Sequence, residues 1–547
     1  MASEVLLDAA VVNRCRRRVH LDHDPAVADV PRALPDPAAE QRMADAAAHR
    51  ADVAASMAMH APAGSAGWVE IQAELPGSER EEATANAMAR HVAYIWNPQL
   101  PRDAEGGRRG RVELLVHIGG GYLPVIVVRH RITDPGTGAL TSPPYPPRPA
   151  DAAEDHSRKP RSQSGDQLRL AHARRMLQAG GHASASTLGG VVGLDADVVL
   201  WHDLAAPTWP GGRSALAEYD TRFADRLAVA TAAATGAPAL AQPSRVVECR
   251  RCPWWPHCEA QLVEAGDVSL VLRGEDAVML RGAGVRTVRD LAALDPAGEP
   301  PAPLVGSSFA DAVALARAWL ADLTVVRRVH RLAVPRADVE LDVDMESFSD
   351  SGAYLWGCLL SGADIGVPRG YHAFATWDPL PCKDEARSFG EFWQWLTVLR
   401  ARAAARGLSF RAYCYNELAE NRWMLGSAER FEGEPGVPTR EQVHAFISSS
   451  AWVDIYRSVS TQLLCARGKG LKVIAPVAGF RWRDPEAGGE NSMRWYRDAV
   501  GLDGAEPDGS QRERLLAYNE DDVRATKALR EWMSSRESGT LPYIGDL

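Results

Sequence analysis

Two groups of residues in this 547-residue sequence have types and spacings suited to chemistry. One is built from thiols. Cys15 stands alone near the N-terminus, and Cys249-Arg-Arg-Cys252-Pro-Trp-Trp-Pro-His-Cys258 follows far downstream. Thiols separated by two and then five residues can converge on one ion or cluster, because a chain turning at Pro253 and Pro256 presents sulfurs from adjacent turns. Cys15 is the only upstream cysteine to supply a fourth ligand. Joining all four would close a loop across the N-terminal half, worth about 5 kcal/mol on a chain-entropy estimate.

The other group is built from carboxylates. In Val339-Glu-Leu-Asp-Val-Asp-Met-Glu346, read as a strand, side chains alternate, so Asp344 and Glu346 share a face and can share a hard cation. In Tyr518-Asn-Glu-Asp-Asp522, read as part of a helix over about 511–534, the four-residue spacing stacks Tyr518 and Asp522. Between them, Ala412-Tyr-Cys-Tyr-Asn-Glu-Leu-Ala-Glu-Asn421 reads as a strand ending in acidic residues, and Trp452-Val-Asp-Ile-Tyr456 adds Asp454.

The elements that must position these groups fall into three segments. Residues 1–262 read as α/β: an Ala-rich helix with His49, strands at Trp68 and over 111–116 and 123–128, helices near 79–92, 167–178 and 214–234, and a strand from Ala196 to Trp201. The stretch 134–166, rich in Pro, Asp, Ser and Arg, reads as a long loop or partly disordered insertion. Residues 263–330 are helical. There, Ala277 to Ala292 reads as helix, glycine turn, helix, either a helix-hairpin-helix whose Gly282 and Gly284 turn offers amides to a phosphate or a plain packed helix pair. Residues 335–547 return to α/β.

Composition narrows the function classes. A hydrophobic content of 46% and a charged content of 24% describe an ordinary globular chain with room for several cores. No apolar run reaches the roughly 20 residues of a membrane span and no signal peptide is evident, so a cytoplasmic protein with thiolate ligands rather than disulfides is expected. The remaining cysteines, Cys358, Cys382, Cys414 and Cys465, are single and read as small core residues. A net charge of −10 speaks against a nonspecific DNA-coating protein, without excluding a basic groove. Basic character lies almost wholly in arginine; the lysines are Lys159, Lys383, Lys469, Lys472 and Lys527.

The D-x-E strand followed by a late Y-x-x-x-D helix resembles the RNase H-like, DnaQ-type 3′-5′ exonucleases of the Tyr-bearing DEDD class, especially the YprB-like branch. The resemblance covers most of 335–547, including Gly470-Leu-Lys-Val-Ile-Ala-Pro-Val-Ala-Gly-Phe480. It implies a catalytic set of Asp344, Glu346, Glu420, Tyr518 and Asp522, with Mg²⁺ or Mn²⁺ held by the four carboxylates and Tyr518 orienting the attacking water. The second motif normally offers Asp; here Glu420 stands in, with Glu417 as the other candidate. Asp454 is implied to lie near the site without ligating.

The four-cysteine pattern resembles the iron-sulfur RecB-like nucleases with a PD-(D/E)XK fold, including AddB and the CRISPR-associated RecB-like exonucleases. This implies a 4Fe-4S cluster on Cys15, Cys249, Cys252 and Cys258; structural Zn²⁺ uses the same ligand chemistry. In such nucleases a helix His, an acid after a Gly-containing turn, an acid-x-Lys strand and a Gln-bearing helix form the site. His49, Gly110-Arg-Val-Glu113 and Gln167 to His172 fit three of these. The acid-x-Lys pair falls instead on Val127 and Arg129, and no lysine precedes Lys159. Valine cannot ligate, and arginine cannot replace an acid. The expectation is a RecB-like domain that has lost cleavage and binds nucleic acid, with Arg129 and Arg131 on backbone phosphate.

The fold class expected is therefore α/β multidomain: a RecB-like domain with a four-Cys cluster over 1–262, a helical helix-hairpin-helix-like connector over 263–330, and an RNase H-like domain over 335–547. The function expected is a metal-dependent 3′-5′ exonuclease in DNA repair or processing, acting on nucleic acid, single-stranded DNA before RNA, alongside a helicase or repair partner and away from membranes. The alternative is a noncatalytic nucleic-acid-binding scaffold with two degenerate nuclease folds. A third reading keeps the RecB-like site active through Glu113.

Overall fold

The structure, a computed structural model, describes residues 5–34, 37–62, 64, 66–161, 163–194, 197–502 and 504–547. The chain divides into two compact units, Met1–Leu262 and Val263–Leu547.

In the first unit a mixed sheet runs in the order Trp68–Glu70, Tyr94–Trp96, Leu114–Ile118, Gly121–Val127, Leu188–Val192, Val199–Asp203, Ala139–Ser142, Ala153–Asp155. Period-two alternation sorts its side chains into two cores. Leu114, Val116, Leu123, Val125 and Val127 pack with Val53 and Met57 of the helix Pro37–His60. Leu115, Ile126, Val191 and Leu200 join Leu168, Leu170, Tyr219 and Phe223 from the helices Ser164–Ala179 and Ala215–Ala234. Gly121–Val127 is buried on both faces, which explains its unbroken apolar sequence. Ala196 lies outside the described residues, and the strand expected there runs over Val199–Asp203.

The stretch 134–166 is not a loop. Ala139–Ser142 pairs antiparallel with Val199 and Leu200 and carries Ala153–Asp155 on its other edge, while Thr133–Pro135 pairs with Arg158–Pro160. The prolines and aspartates that suggested disorder sit at the ends of these short strands and in the turns between them, where they interrupt no longer ladder.

The second unit opens with the helices Glu275–Gly282, Val288–Ala292 and Phe309–Leu320. Ala314 and Ala318 of the third pack on Val326 and Leu464, from a two-stranded ladder of Val325–Arg327 and Leu463–Cys465. The main sheet follows, in the order Gly370–Ala375, Gly352–Gly362, Val339–Phe348, Phe410–Cys414, Trp452–Asp454; the first three are antiparallel neighbours and the last two run parallel to Val339–Phe348. Side chains alternate from Val339 to Glu346, after which the ladder shifts register. Val339, Leu341, Val343 and Met345 enter a core with Phe389, Phe392 and Trp393 of the helix Asp384–Ala405. The intervening Glu340, Asp342, Asp344 and Glu346 therefore point to the opposite face, toward the helix Gly509–Met533.

Candidate metal centre and the groups around it

Four acids on one strand face need partners, and the late helix supplies them unequally. Arg530 is fully buried and grips Asp342 with two bonds of 2.8 Å while also reaching Glu340. Glu340 further accepts from Arg336 at 2.6 and 2.8 Å and from Tyr413 at 2.9 Å. Against the upward push of burial, Arg336 and Arg530 hold its carboxyl down at about 2. Two turns earlier on the same helix the arginine is replaced by an acid, Asp522. Asp344, Glu346 and Asp522 then each offer an oxygen within 4.8 Å of the others. Among the described residues this is the one set of three His, Cys, Asp or Glu groups so close.

Burial pushes all three carboxyls above their ordinary range, and repulsion from neighbouring acids adds to it for Asp344 and Glu346. For Asp344 the repulsion comes from Asp522, Glu346 and Glu420; Lys472 pulls each of the three back. Hydrogen bonds fix their orientation. Asn519 donates to Asp344 at 2.8 Å, Trp482 Nε1 to Asp522 at 2.6 Å, and Ser492 to Glu346 at 3.3 Å. Tyr371 donates to the Asn519 carbonyl oxygen at 2.8 Å, which settles which end of that amide meets Asp344. Gly357 lies opposite Asp344 in the ladder, and a Cβ there would come within 1.4 Å of Asn519 Oδ1. The glycine is what lets Asn519 in.

Glu420 does not lie on a strand end, as the sequence suggested. The strand stops at Cys414, Asn416 turns the chain at a positive φ of 70°, and Glu420 falls in the first turn of the helix Leu418–Arg430. It is 4% exposed, its Oε2 has no hydrogen-bond partner, and burial raises its carboxyl to about 8. Glu417, the other candidate, is instead paired with Arg457 at 3.1 Å. Asp454 caps the helix Ile455–Gln462 by accepting from Tyr456 N at 2.8 Å, and it also accepts from Asn416 N at 2.9 Å. It shapes the turn ahead of Glu420 and is spent doing so. Tyr518 bonds Asp522 and accepts from Lys472 at 3.0 Å; burial and the surrounding carboxylates raise its hydroxyl far above the ordinary tyrosine value.

Residues 430–534 match the model of a family described as RNase_H superfamily. The C-terminal domain is RNase H-like. The matched segment holds Tyr518, Asn519 and Asp522, whereas Asp344, Glu346 and Glu420 lie before it and are brought in by the sheet and the helix after it. No curated protein and no solved structure matches the chain. No helix among the described residues is long and apolar enough to cross a membrane.

Lys472, Trp482, Ser492, Asn519 and Gly357 were not anticipated. Asn519 was within reach, three residues before Asp522 on the same helix face. The scarcity of lysine also singled out Lys472. For Trp482 and Gly357 no local pattern exists, because each is placed by a partner distant in sequence.

In the N-terminal unit each of the expected residues has partners of its own. Glu113 accepts from Arg169 at 3.0 and 3.1 Å and from Val127 N at 3.4 Å. Arg129 pairs with Asp45 at 3.1 Å. The His49 imidazole is held toward neutrality by burial and by Arg129. His172 sits between Tyr219 Oη at 2.8 Å and Arg109 O at 3.0 Å, with burial lowering it to about 4. Gln167 accepts from Trp209 at 2.8 Å. Arg131 is exposed.

The four thiols lie near enough for their charges to act on one another. Cys15 precedes the helix Arg16–His23 and its amide donates to Glu248 at 2.5 Å, just ahead of Cys249. Cys258 lies in the first turn of Trp255–Ala265, and burial, then the charges of Cys252, Cys15 and Cys249, push its thiol up to about 12. None is in a disulfide, and Leu21, Trp254, Val27 and Val30 wrap Cys252 and Cys258.

The glycine turn of the connector departs from its expected use. Gly284 adopts a φ of +89°, and the amides of Ala283, Gly284 and Val285 donate to carbonyls of Met279, Leu280 and Arg281. Arg286 N and Thr287 N donate to Asp290. The turn around Gly282 and Gly284 is a helix C-cap whose amides are committed to its own chain, not to an external phosphate.

Proposed function

We propose that the C-terminal domain is a metal-dependent nuclease that removes nucleotides from the 3′ end of nucleic acid, single-stranded DNA before RNA. The observation that carries this reading is the meeting of Asp344 and Glu346 with Asp522, with Glu420, whose Oε2 lacks a hydrogen-bond partner, among the acids that act on Asp344. Such a donor set fits Mg²⁺ or Mn²⁺: all oxygen, anionic, crowded, and with one buried acceptor left unsatisfied. Asp344, Glu346, Asp522 and Glu420 would hold the ions, which supply Lewis acidity for activating water and neutralising charge on the phosphodiester. The chain's own groups do the positioning. Asn519, Trp482 and Ser492 each fix one carboxylate, and the Tyr518 hydroxyl orients the attacking water.

The N-terminal unit, in the same reading, is a RecB-like fold that holds nucleic acid without cutting it. Its support is that Glu113 is spent on Arg169 and the acid-x-Lys positions are Val127 and Arg129. The four thiols would carry a 4Fe-4S cluster. In this reading the chain acts in DNA repair or processing, with a helicase among the partners to seek.

The test is cleavage of end-labelled single-stranded DNA and RNA with Mn²⁺ or Mg²⁺, beside Asp344→Ala and Glu113→Ala variants. Shortening from the 3′ end that Asp344→Ala abolishes supports the reading. Cleavage lost in Glu113→Ala alone would move the active site to the N-terminal unit, and no cleavage on any substrate would favour a binding scaffold. Anaerobically prepared protein should be brown; colourless protein with stoichiometric zinc would replace the cluster by Zn²⁺.

A further inference from the structure

Lys472 is one of five lysines in a chain with 61 basic residues, and it stands among the carboxylates. Its backbone is tightly placed. Gly470 O accepts from Val473 N at 2.9 Å and Ile474 N at 3.1 Å, Ile474 is buried against Leu529 and Met533 of the late helix, and the Tyr415 hydroxyl donates to Lys469 O. From there the Lys472 ammonium donates to Tyr518 Oη at 3.0 Å and lies 4.5 Å from the centre of the Tyr518 ring and 5.6 Å from that of Trp482.

We infer that Lys472 is a positioning residue of the nuclease centre: by occupying an acceptor site on Tyr518 Oη, it fixes the direction in which that hydroxyl donates. This rests on the nuclease reading above. A phenol has one proton to give and can rotate it freely unless its oxygen is otherwise bonded. With Lys472 on one side, the hydroxyl proton is directed toward Asp522, on the side of the candidate metal centre. An ammonium suits this role because it gives a single compact bond. A guanidinium in its place could close on a carboxylate with two bonds, as Arg169 does on Glu113, and spend the ligand.

The experiment compares Lys472→Met, Tyr518→Phe and the double variant in the full chain. With Mn²⁺ and end-labelled single-stranded DNA, Lys472→Met should lower kcat about tenfold with KM nearly unchanged, the scale of losing a supporting hydrogen bond. Added to Tyr518→Phe it should cost nothing more, because the group it acts through is gone. A loss expressed in KM, or one that multiplies with Tyr518→Phe, would overturn the inference and make Lys472 a direct substrate contact. A second readout needs neither metal nor activity. In protein labelled with ¹³C at tyrosine Cζ, the signal absent from Tyr518→Phe should shift in Lys472→Met while the other tyrosines stay in place. An unmoved signal would overturn the contact; if methionine disturbs the other tyrosines, Lys472→Gln takes its place. Should the wild-type protein cut nothing, the nuclease reading fails while this signal still decides the Lys472 contact.

Discussion

Glu113 and Asp344 are both acids that sequence resemblance marks as candidate metal ligands, and their surroundings differ in one respect: Glu113 faces an arginine, Asp344 faces other acids. The Arg169 guanidinium gives Glu113 two hydrogen bonds and a counter-charge, so nothing there calls for an ion. Asp344, Glu346, Asp522 and Glu420 crowd together against a single ammonium, that of Lys472. The strand Val339–Phe348 repeats the contrast within itself, since Glu340 and Asp342 are settled by Arg530 while Asp344 and Glu346, one pleat further on, are not. Burial of acids alone does not mark a catalytic centre. What separates the two sets on this strand is the arginine that settles one of them.

The comparison breaks most visibly if the ligands are removed. Asp344→Ala or Asp522→Ala should lower the cleavage rate by about 10²–10³-fold or more, the scale of deleting one group that stabilises transition-state charge, measured in single-turnover assays. Next in size is Arg530→Met, which strands the buried Asp342 carboxylate and takes one partner from Glu340, and should destabilise the fold by about 3–5 kcal/mol in urea unfolding. Gly357→Ala forces Asn519 off Asp344 and should cost about 10–100-fold in activity while leaving far-ultraviolet circular dichroism unchanged.

A pH series sharpens the same contrast. Burial raises Glu420 and Glu346 to about 8 from an ordinary 4.5, so the folded state keeps protons that the unfolded chain releases. Without metal, the stability these groups contribute is complete below about pH 4.5 and is lost as pH rises through about 8. Urea midpoints in EDTA should fall across that window, Glu420→Gln should flatten the fall, and Mg²⁺ should reverse it. The smallest effect belongs to the N-terminal pair. Arg169 is partly exposed, and Arg169→Ala should cost no more than about 1 kcal/mol.

The alternation of Val339 to Glu346 and the spacing of Tyr518 and Asp522 made the core of the site legible, because each is local: one strand face, one helix face. The two faces meet through tertiary packing, and what depends on that meeting was not legible. Gly357, Trp482 and Ser492 are set by partners far along the chain. Glu420 was assigned to a strand end, since a left-handed turn at Asn416 has no apolar period to announce it. The short strands within 134–166 are too brief for periodicity to register, and the turn at Gly284 showed its shape in sequence without showing where its amides are spent.

Anomalous diffraction from crystals of the full chain soaked in Mn²⁺ tests the contrast most directly. The expected result is manganese bounded by Asp344, Glu346 and Asp522, with Glu420 turned toward it, and none beside Glu113. Manganese at Glu113 and His49, with the Asp344 site empty, would contradict the account.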